Sequence, residues 1–276
     1  DYFGLIPLIA KNYLGYKKII ELSSKSYLEN DSLNNPHCKF EDLIHFKEGI
    51  IALSGSINSL TGNLIVKAVV PDSAETYCSP LVADIKNTGN KWILYGTGGE
   101  NLGGNFYTVP LSDLIQGDIS GSIILATDTN KGFIAPASIH KNDSSIFDII
   151  IQSFDGKVTK ISGQSFTPLW TYQKTGTESS AEPVIGNFTG NLTPDILLIL
   201  FKGVAPSYND YYQVVLDGEN GNISFIDSLG SINFSSANAV DINNDGRDEG
   251  IFSITYFDNG VFKNRIEAVD FTNNSI

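Results

Sequence analysis

Hydrophobic residues in this chain come in runs of four to six, too short for helices and too regularly spaced to be accidental. Trp92–Tyr95, Phe147–Ile151, Ile196–Phe201, Tyr212–Leu216 and Ile251–Tyr256 are rich in Ile, Val, Phe and Tyr. Clusters of Gly, Asn, Asp and Ser separate them. Short β-prone runs bounded by turn residues predict an all-β protein. Only Leu8–Leu22 departs from the pattern, reading as a short helix or a strand pair, and almost no helix is expected after residue 35.

The runs also repeat. Ser79–Asp84, Ala135–His140, Glu182–Asn187 and Ser236–Asp241 align, and the first three carry proline at the second position. Each leads through a short apolar segment to an anchor at 84, 140, 187 or 241, and a strongly apolar strand follows eight or nine residues later. A second recurring piece, Gly49–Gly55 and Asp155–Gly163, precedes a turn and a further strand. Four strands in a unit of roughly 50 residues have the size of one β-propeller blade, which must stack on neighbours to bury its two faces.

On this spacing the four-stranded antiparallel blades fall at about 36–78, 79–134, 135–181, 182–235 and 236–276, after an N-terminal segment 1–35. The last blade holds roughly three strands. Either residues 1–35 supply its outer strand and close a ring of about five blades, or the chain is part of a seven- or eight-bladed ring. The lack of any methionine and the abrupt end favour the larger ring.

The most informative stretch chemically is Asp241-Ile242-Asn243-Asn244-Asp245-Gly246-Arg247-Asp248-Glu249. Calcium takes six to eight oxygens, which a tight loop supplies from alternate positions with glycine where the backbone reverses. Asp241, Asn243, Asp245 and Glu249 occupy positions one, three, five and nine, and the Arg247 carbonyl is available at position seven. The three acids at ligand positions, Asp241, Asp245 and Glu249, repel one another, which favours a cation over the alternative, a polar turn that needs no metal.

This loop, its place between the first two strands of a repeat and the repeat length resemble FG-GAP/VCBS-type β-propeller repeats, as in the integrin α-subunit head. Gly186-Asn187-Phe188-Thr189-Gly190-Asn191-Leu192-Thr193-Pro194-Asp195 is a weaker copy of the same pattern. Asp155–Trp170 is also similar to quinoprotein-like propeller repeats. The resemblance implies a calcium-stapled propeller that presents ligands on the face opposite its calcium loops.

Departures from the motif rank the loops. The 187 loop offers Asn187, Thr189, Asn191 and Asp195, a single carboxylate, and is expected to bind calcium weakly. The 84 loop (Asp84, Lys86, Thr88, Trp92) places an ammonium where a ligand should be, and the 140 loop (His140, Asn142, Ser144, Asp148) has one acid. One probable Ca2+ site is therefore expected. On the opposite face, Lys202–Tyr211 carries Tyr208 and Tyr211, with Tyr212 beside them; these tyrosines either stack on a sugar or anchor a protein partner, or pack on their own blade. The glycine-rich Gly96–Gly104 lacks the offsets and following helix of a phosphate cradle and reads as a long hairpin loop.

Composition narrows the function. With 31 acidic and 18 basic side chains the formal charge is −13, which excludes nucleic acid and an anionic membrane surface as partners. No apolar run approaches the ~20 residues of a membrane helix, so direct membrane insertion is not expected. No nucleophile elbow or zinc-protease motif is present, and no catalytic residue is assigned. Cys38 and Cys78 are placed on adjoining blades near the innermost strands, either as a disulfide or as two thiols. The reading is a non-enzymatic extracellular, cell-surface or periplasmic module for adhesion to a protein or glycan ligand. The alternatives are a propeller enzyme acting on polysaccharide, a quinone-dependent dehydrogenase, and an architectural part of a larger surface or secretion assembly.

Overall fold

The computed structural model of the chain describes residues 8–28, 37–46, 48–52, 65–208, 210–228 and 234–272. The chain forms two compact units, 1–67 and 68–276. In the first, β1 (Leu8–Ala10) precedes α1 (Tyr13–Leu28), α2 (Phe40–His45) and β2 (Ile50–Ala52). β1 and β2 pair antiparallel, Leu8 opposite Ala52. The Asn12 side chain accepts from the Gly15 amide and satisfies one of the open donors at the start of α1. Lys25 on α1 is ion-paired with Asp42 on α2 at 2.7 Å.

This unit differs from the sequence reading in two places. The Leu8–Leu22 stretch is both a strand and the first part of a 16-residue helix. The four-stranded blade placed at 36–78 is not formed by its described residues: they hold α2 and a strand that pairs with Leu8–Ala10, while 53–64 lie outside the described residues. Glu41 and Asp42 in the first turn of Phe40–His45 favour helix there, and the Gly49–Gly55 match to a blade strand was too short to outweigh that signal.

The second unit is a stack of antiparallel sheets. Blade one is β3 (Leu81–Ala83), β4 (Trp92–Gly96), β5 (Gly104–Pro110) and β6 (Ile123–Asp128), with the five-residue α3 (Leu111–Ile115) inserted before β6. Blade two is β7 (Ser138–Lys141), β8 (Phe147–Gln152), β9 (Val158–Ile161) and β10 (Pro168–Tyr172). In blade three a two-residue β11 (Thr177–Glu178) and β12 (Val184–Gly186) both pair with β13 (Asp195–Lys202), followed by β14 (Asp210–Leu216) and β15 (Ile223–Ser228). Blade four has three strands among the described residues, β16 (Asn238–Val240), β17 (Glu249–Asp258) and β18 (Val261–Val269).

The core explains why these strands are apolar at every position instead of every second one. A blade inside the stack has neighbours on both faces, so both side-chain sets of a strand are buried. On β13, Ile196, Leu198 and Leu200 pack with Ile150 and Val158 of blade two. The intervening Leu197, Ile199 and Phe201 pack with Phe252 and Ile254 of blade four. Blades one and two meet through Leu94, Phe106, Ile149, Ile151 and Ile161. The free face of blade one is covered by Ala68, Val70, Leu111 and Leu114, which pack on Ile93, Tyr95, Tyr107 and Val109. Each fully buried side chain of this kind contributes roughly 1.5–3 kcal/mol.

The short first strands β3, β7, β12 and β16 line one groove of about 350 Å3. Four-stranded antiparallel blades stacked face to face, with their first strands around a common axis, are the architecture of a β-propeller.

Candidate functional site

The turns between the first and second strands of the blades are where the candidate ligands lie. In the 241–249 loop the backbone reverses at Asn244 (φ +61°) and Gly246 (φ +89°), the latter at position six where glycine was expected. The side chains turn inward onto the loop's own amides. Asp241 accepts from the Gly246 amide at 2.9 Å and the Asp245 amide at 3.2 Å; Asn243 Oδ1 also accepts from the Asp245 amide, at 2.8 Å. Asp245 accepts from the Arg247 amide at 2.9 Å. Glu249, 4% exposed, closes the loop by accepting from the Ile242 amide and from Asn243 Nδ2. Every donor set member is an oxygen, which suits a hard cation. These oxygens are nevertheless engaged by the loop itself, and among the described residues no group of three or more His, Cys, Asp or Glu side chains is placed to hold a metal ion.

The 187–195 loop is stitched to it from the adjacent blade. The Asn187 amide donates to Asp248 Oδ2 at 2.7 Å, the Asp248 amide donates to the Asn187 carbonyl at 2.9 Å, and Asn187 Nδ2 donates to the Gly246 carbonyl at 2.6 Å. Asp248 had no role in the ligand pattern. Only the stacking of blades reveals that it ties two loops together. The Arg247 guanidinium lies over Gly190, where a Cβ would come within 2.8 Å of Nε.

Asp195 is fully buried. Its Oδ2 accepts from both the amide and the hydroxyl of Thr189 at 2.8 Å, while its Oδ1 has no hydrogen-bond partner, and neither has the buried Asn187 Oδ1. Burial raises the Asp195 carboxyl above the ordinary range, the Thr189 donors oppose this, and nearby Asp217 reinforces it. The oxygens left over thus sit in the loop with one carboxylate, whereas the carboxylate-rich loop satisfies itself. Asn191 is exposed.

The other two turns are self-contained. Asp84 accepts from the Thr88 and Gly89 amides. Lys86 stands over the rings of Phe166 and Trp92, at 4.4 and 5.2 Å from their centroids. A cation on two aromatic faces gains more there than in a crowded turn. In the 140 turn, Asn142 Oδ1 accepts from the Ser144 and Ile146 amides and Nδ2 donates to Asp148. Burial lowers the pKa of His140.

On the opposite face the tyrosines pack on their own blade. Tyr211 is buried against Phe201, with burial pushing its hydroxyl up to about 12. Tyr208 donates to Glu178 Oε2 at 2.7 Å, and Lys131 is ion-paired with Oε1 of the same carboxylate at 2.9 Å. Tyr212 points to the other face of the sheet, between the Lys174 and Lys202 ammoniums. The three form no common surface, because Tyr211 and Tyr212 are consecutive on β14 and consecutive strand residues face opposite sides. Cys78 is buried at the entry to β3, its thiol donating to the Ala135 carbonyl at 3.3 Å. Cys38 lies beside α2 in the first unit instead of on a blade, and both thiols are free.

The axial groove was not identified as a site from the sequence. Leu81, Ala137, Ile139, Val184, Ile185 and Ala237 give it apolar walls, and Ser138, Glu182, Ser236 and Asn238 place polar groups among them. Glu182 accepts weakly from Ser138 Oγ at 3.2 Å. The repeated small-polar and proline positions before each first strand were the available signal.

No family model matches the chain. A 66-residue stretch, 24% of this chain, is 41% identical to DNA polymerase III subunit alpha of Rickettsia felis, and a stretch of the same length is 39% identical to that subunit of Rickettsia conorii. The chain spans about 6% of the length of these curated relatives. No helix among the described residues is long and apolar enough to cross a membrane. Among solved structures the chain is similar to BamB from Moraxella catarrhalis, at 12% identity and a TM-score of 0.36 over 72% of this chain and 51% of that one. It is also similar to the quinohemoprotein alcohol dehydrogenase of Comamonas testosteroni, at 10% identity and 0.42 over 66% and 29%, and to an engineered GH43 glycoside hydrolase, at 11% and 0.34 over 79% and 43%.

Proposed function

We propose that this chain is a propeller binding module of the FG-GAP type, extracellular, on the cell surface or periplasmic, which holds a protein or glycan ligand in its axial groove. The observation that carries this reading is the groove itself, where the first strands of all four blades converge with apolar walls and a few polar groups. That combination is the general form of a ligand site. Its described lining offers one carboxylate, Glu182, whereas glycoside hydrolysis ordinarily uses two, and this favours binding over that chemistry.

Calcium serves the module as a staple at the 241–249 loop, through Asp241, Asn243, Asp245, Glu249 and the Arg247 carbonyl. A site with this few free charges is expected in the weak range that extracellular modules use. The decisive measurement is binding of the purified chain to an array of immobilised oligosaccharides and surface proteins, repeated with Asn238→Trp. Asn238 is exposed at the groove, so tryptophan there fills the space without entering the core. Retention by a defined ligand that is lost at least tenfold in the variant supports the reading. Undiminished binding moves the site elsewhere.

A further inference from the structure

We infer that the axial groove selects a basic side chain, a lysine or arginine of a protein ligand, and that Glu182 is the residue that recognises it. This rests on the groove being the ligand site and names what that site prefers. Among the residues lining the groove Glu182 is the one ionisable side chain; the other polar ones, Ser138, Ser236 and Asn238, are neutral. A carboxylate set among apolar walls forfeits hydration and ordinarily acquires a partner. The chain supplies such partners elsewhere. Glu178 is ion-paired with Lys131 at 2.9 Å and also accepts from Tyr208 and the Ala205 amide. Asp148 faces Lys160 at 3.4 Å. Glu182 is half-buried, and among the described residues no lysine, arginine or histidine forms an ion pair with it.

Its hydrogen bonds do not substitute for a cation. Oε1 accepts from Ser138 Oγ at 3.2 Å, but that hydroxyl has one proton and a closer acceptor, the Pro183 carbonyl at 2.5 Å. The backbone beneath the charge is fixed, since the Glu182 amide donates to Ser236 Oγ at the entry to blade four, at 2.8 Å. The position of the charge is therefore preset while the carboxylate keeps acceptor capacity. A lysine or arginine matches both parts of this surface. Its aliphatic stem lies along apolar wall such as Leu81, Ile139 and Val184, and its head reaches the carboxylate. Walls of low polarity strengthen that pair relative to water. A neutral sugar leaves the charge unmatched, and an acidic group is repelled. The formal charge of −13 also draws basic ligands towards the chain before contact.

Saturation-transfer difference NMR on the full chain tests the inference, with the pentapeptide Gly-Ser-Lys-Ser-Gly blocked at both ends. Its analogues carry arginine, Nε-acetyl-lysine or glutamate at the central position. The lysine and arginine peptides are expected to bind at least tenfold more tightly than the other two. Glu182→Gln, which keeps the shape and the backbone bond to Ser236, should remove that preference. Asn238→Trp should abolish binding by filling the groove. Equal binding of the lysine and acetyl-lysine peptides, both lost in Asn238→Trp, overturns the inference and leaves the groove as the ligand site. Binding of the lysine peptide that Glu182→Gln leaves unchanged overturns it, and so does binding that survives Asn238→Trp. If no peptide binds the wild-type chain, the basic side chain is not what the groove selects, and the oligosaccharide and protein array alone decides whether the groove is a site.

Discussion

At the scale of single residues, Asp195 is where the chain bears an electrostatic cost. One oxygen is doubly hydrogen-bonded to Thr189 and the other is buried without a partner, so the charged form loses more hydration than its hydrogen bonds replace. Its carboxyl is raised above the unfolded value, chiefly by burial. A group raised in the fold contributes stability below its unfolded pKa, and that contribution is lost as pH rises through the folded value. Asp195→Asn is therefore expected to match or exceed wild-type stability at pH 7 without calcium. The gain should shrink as pH falls below the ordinary carboxylate range, and urea titrations at pH 7 and pH 3.5 check it. If the variant is equally destabilised at both, the buried oxygen is not the source of strain.

At the scale of the element, the 241–249 turn is already closed by its own amides, which Asp241, Asp245 and Glu249 accept from, three negative charges in one hairpin beside the Asp248 that faces the next loop. A cation that binds the folded loop and not the unfolded chain stabilises by mass action. Saturating calcium is expected to raise the melting temperature of wild type by several degrees, and a chelator should reverse it. Asp245→Ala should abolish the calcium-dependent increment while changing the metal-free melting temperature little, since Asp245 is exposed and accepts one bond from the Arg247 amide. Equal calcium responses in wild type and variant would return this loop to a plain hydrogen-bonded turn.

At the scale of the molecule, the blades form a stack in which each interface is a separate apolar layer. Leu200 belongs to the layer between blades two and three, and Phe252 to the layer between three and four. Leu200→Ala is expected to cost about 2–5 kcal/mol and Phe252→Ala about 3–5 kcal/mol, since both side chains are fully buried. The double variant should equal the sum within about 0.5 kcal/mol, because the two positions share no layer. Equilibrium unfolding in urea measures all three. A strongly non-additive result would mean that blade three transmits packing changes from one face to the other.

The sequence by itself determined the strands, their antiparallel order and the four equivalent first strands. These depend on local facts: period-two or fully apolar runs, turn residues between them, and a proline that enters the same turn three times. It also located the reversal at Gly246, because only a residue tolerant of positive φ serves there. What it left open depends on neighbours distant in the chain. The Gly49–Gly55 stretch has a blade-like pattern, yet its described strand, Ile50–Ala52, pairs with Leu8–Ala10, because pairing depends on which partner edge lies nearby. Ligand ranking by carboxylate count says nothing of the partners that those oxygens find in the folded turns. Whether Asp241 or Asp195 is satisfied depends on amides that the folded turns bring within 3 Å. Tyr211 and Tyr212 are adjacent in sequence, and stacking of the blades put one in the core between blades three and four and the other beneath two lysines. Residue type and period are written along the chain; burial and partnership arise only when blades meet.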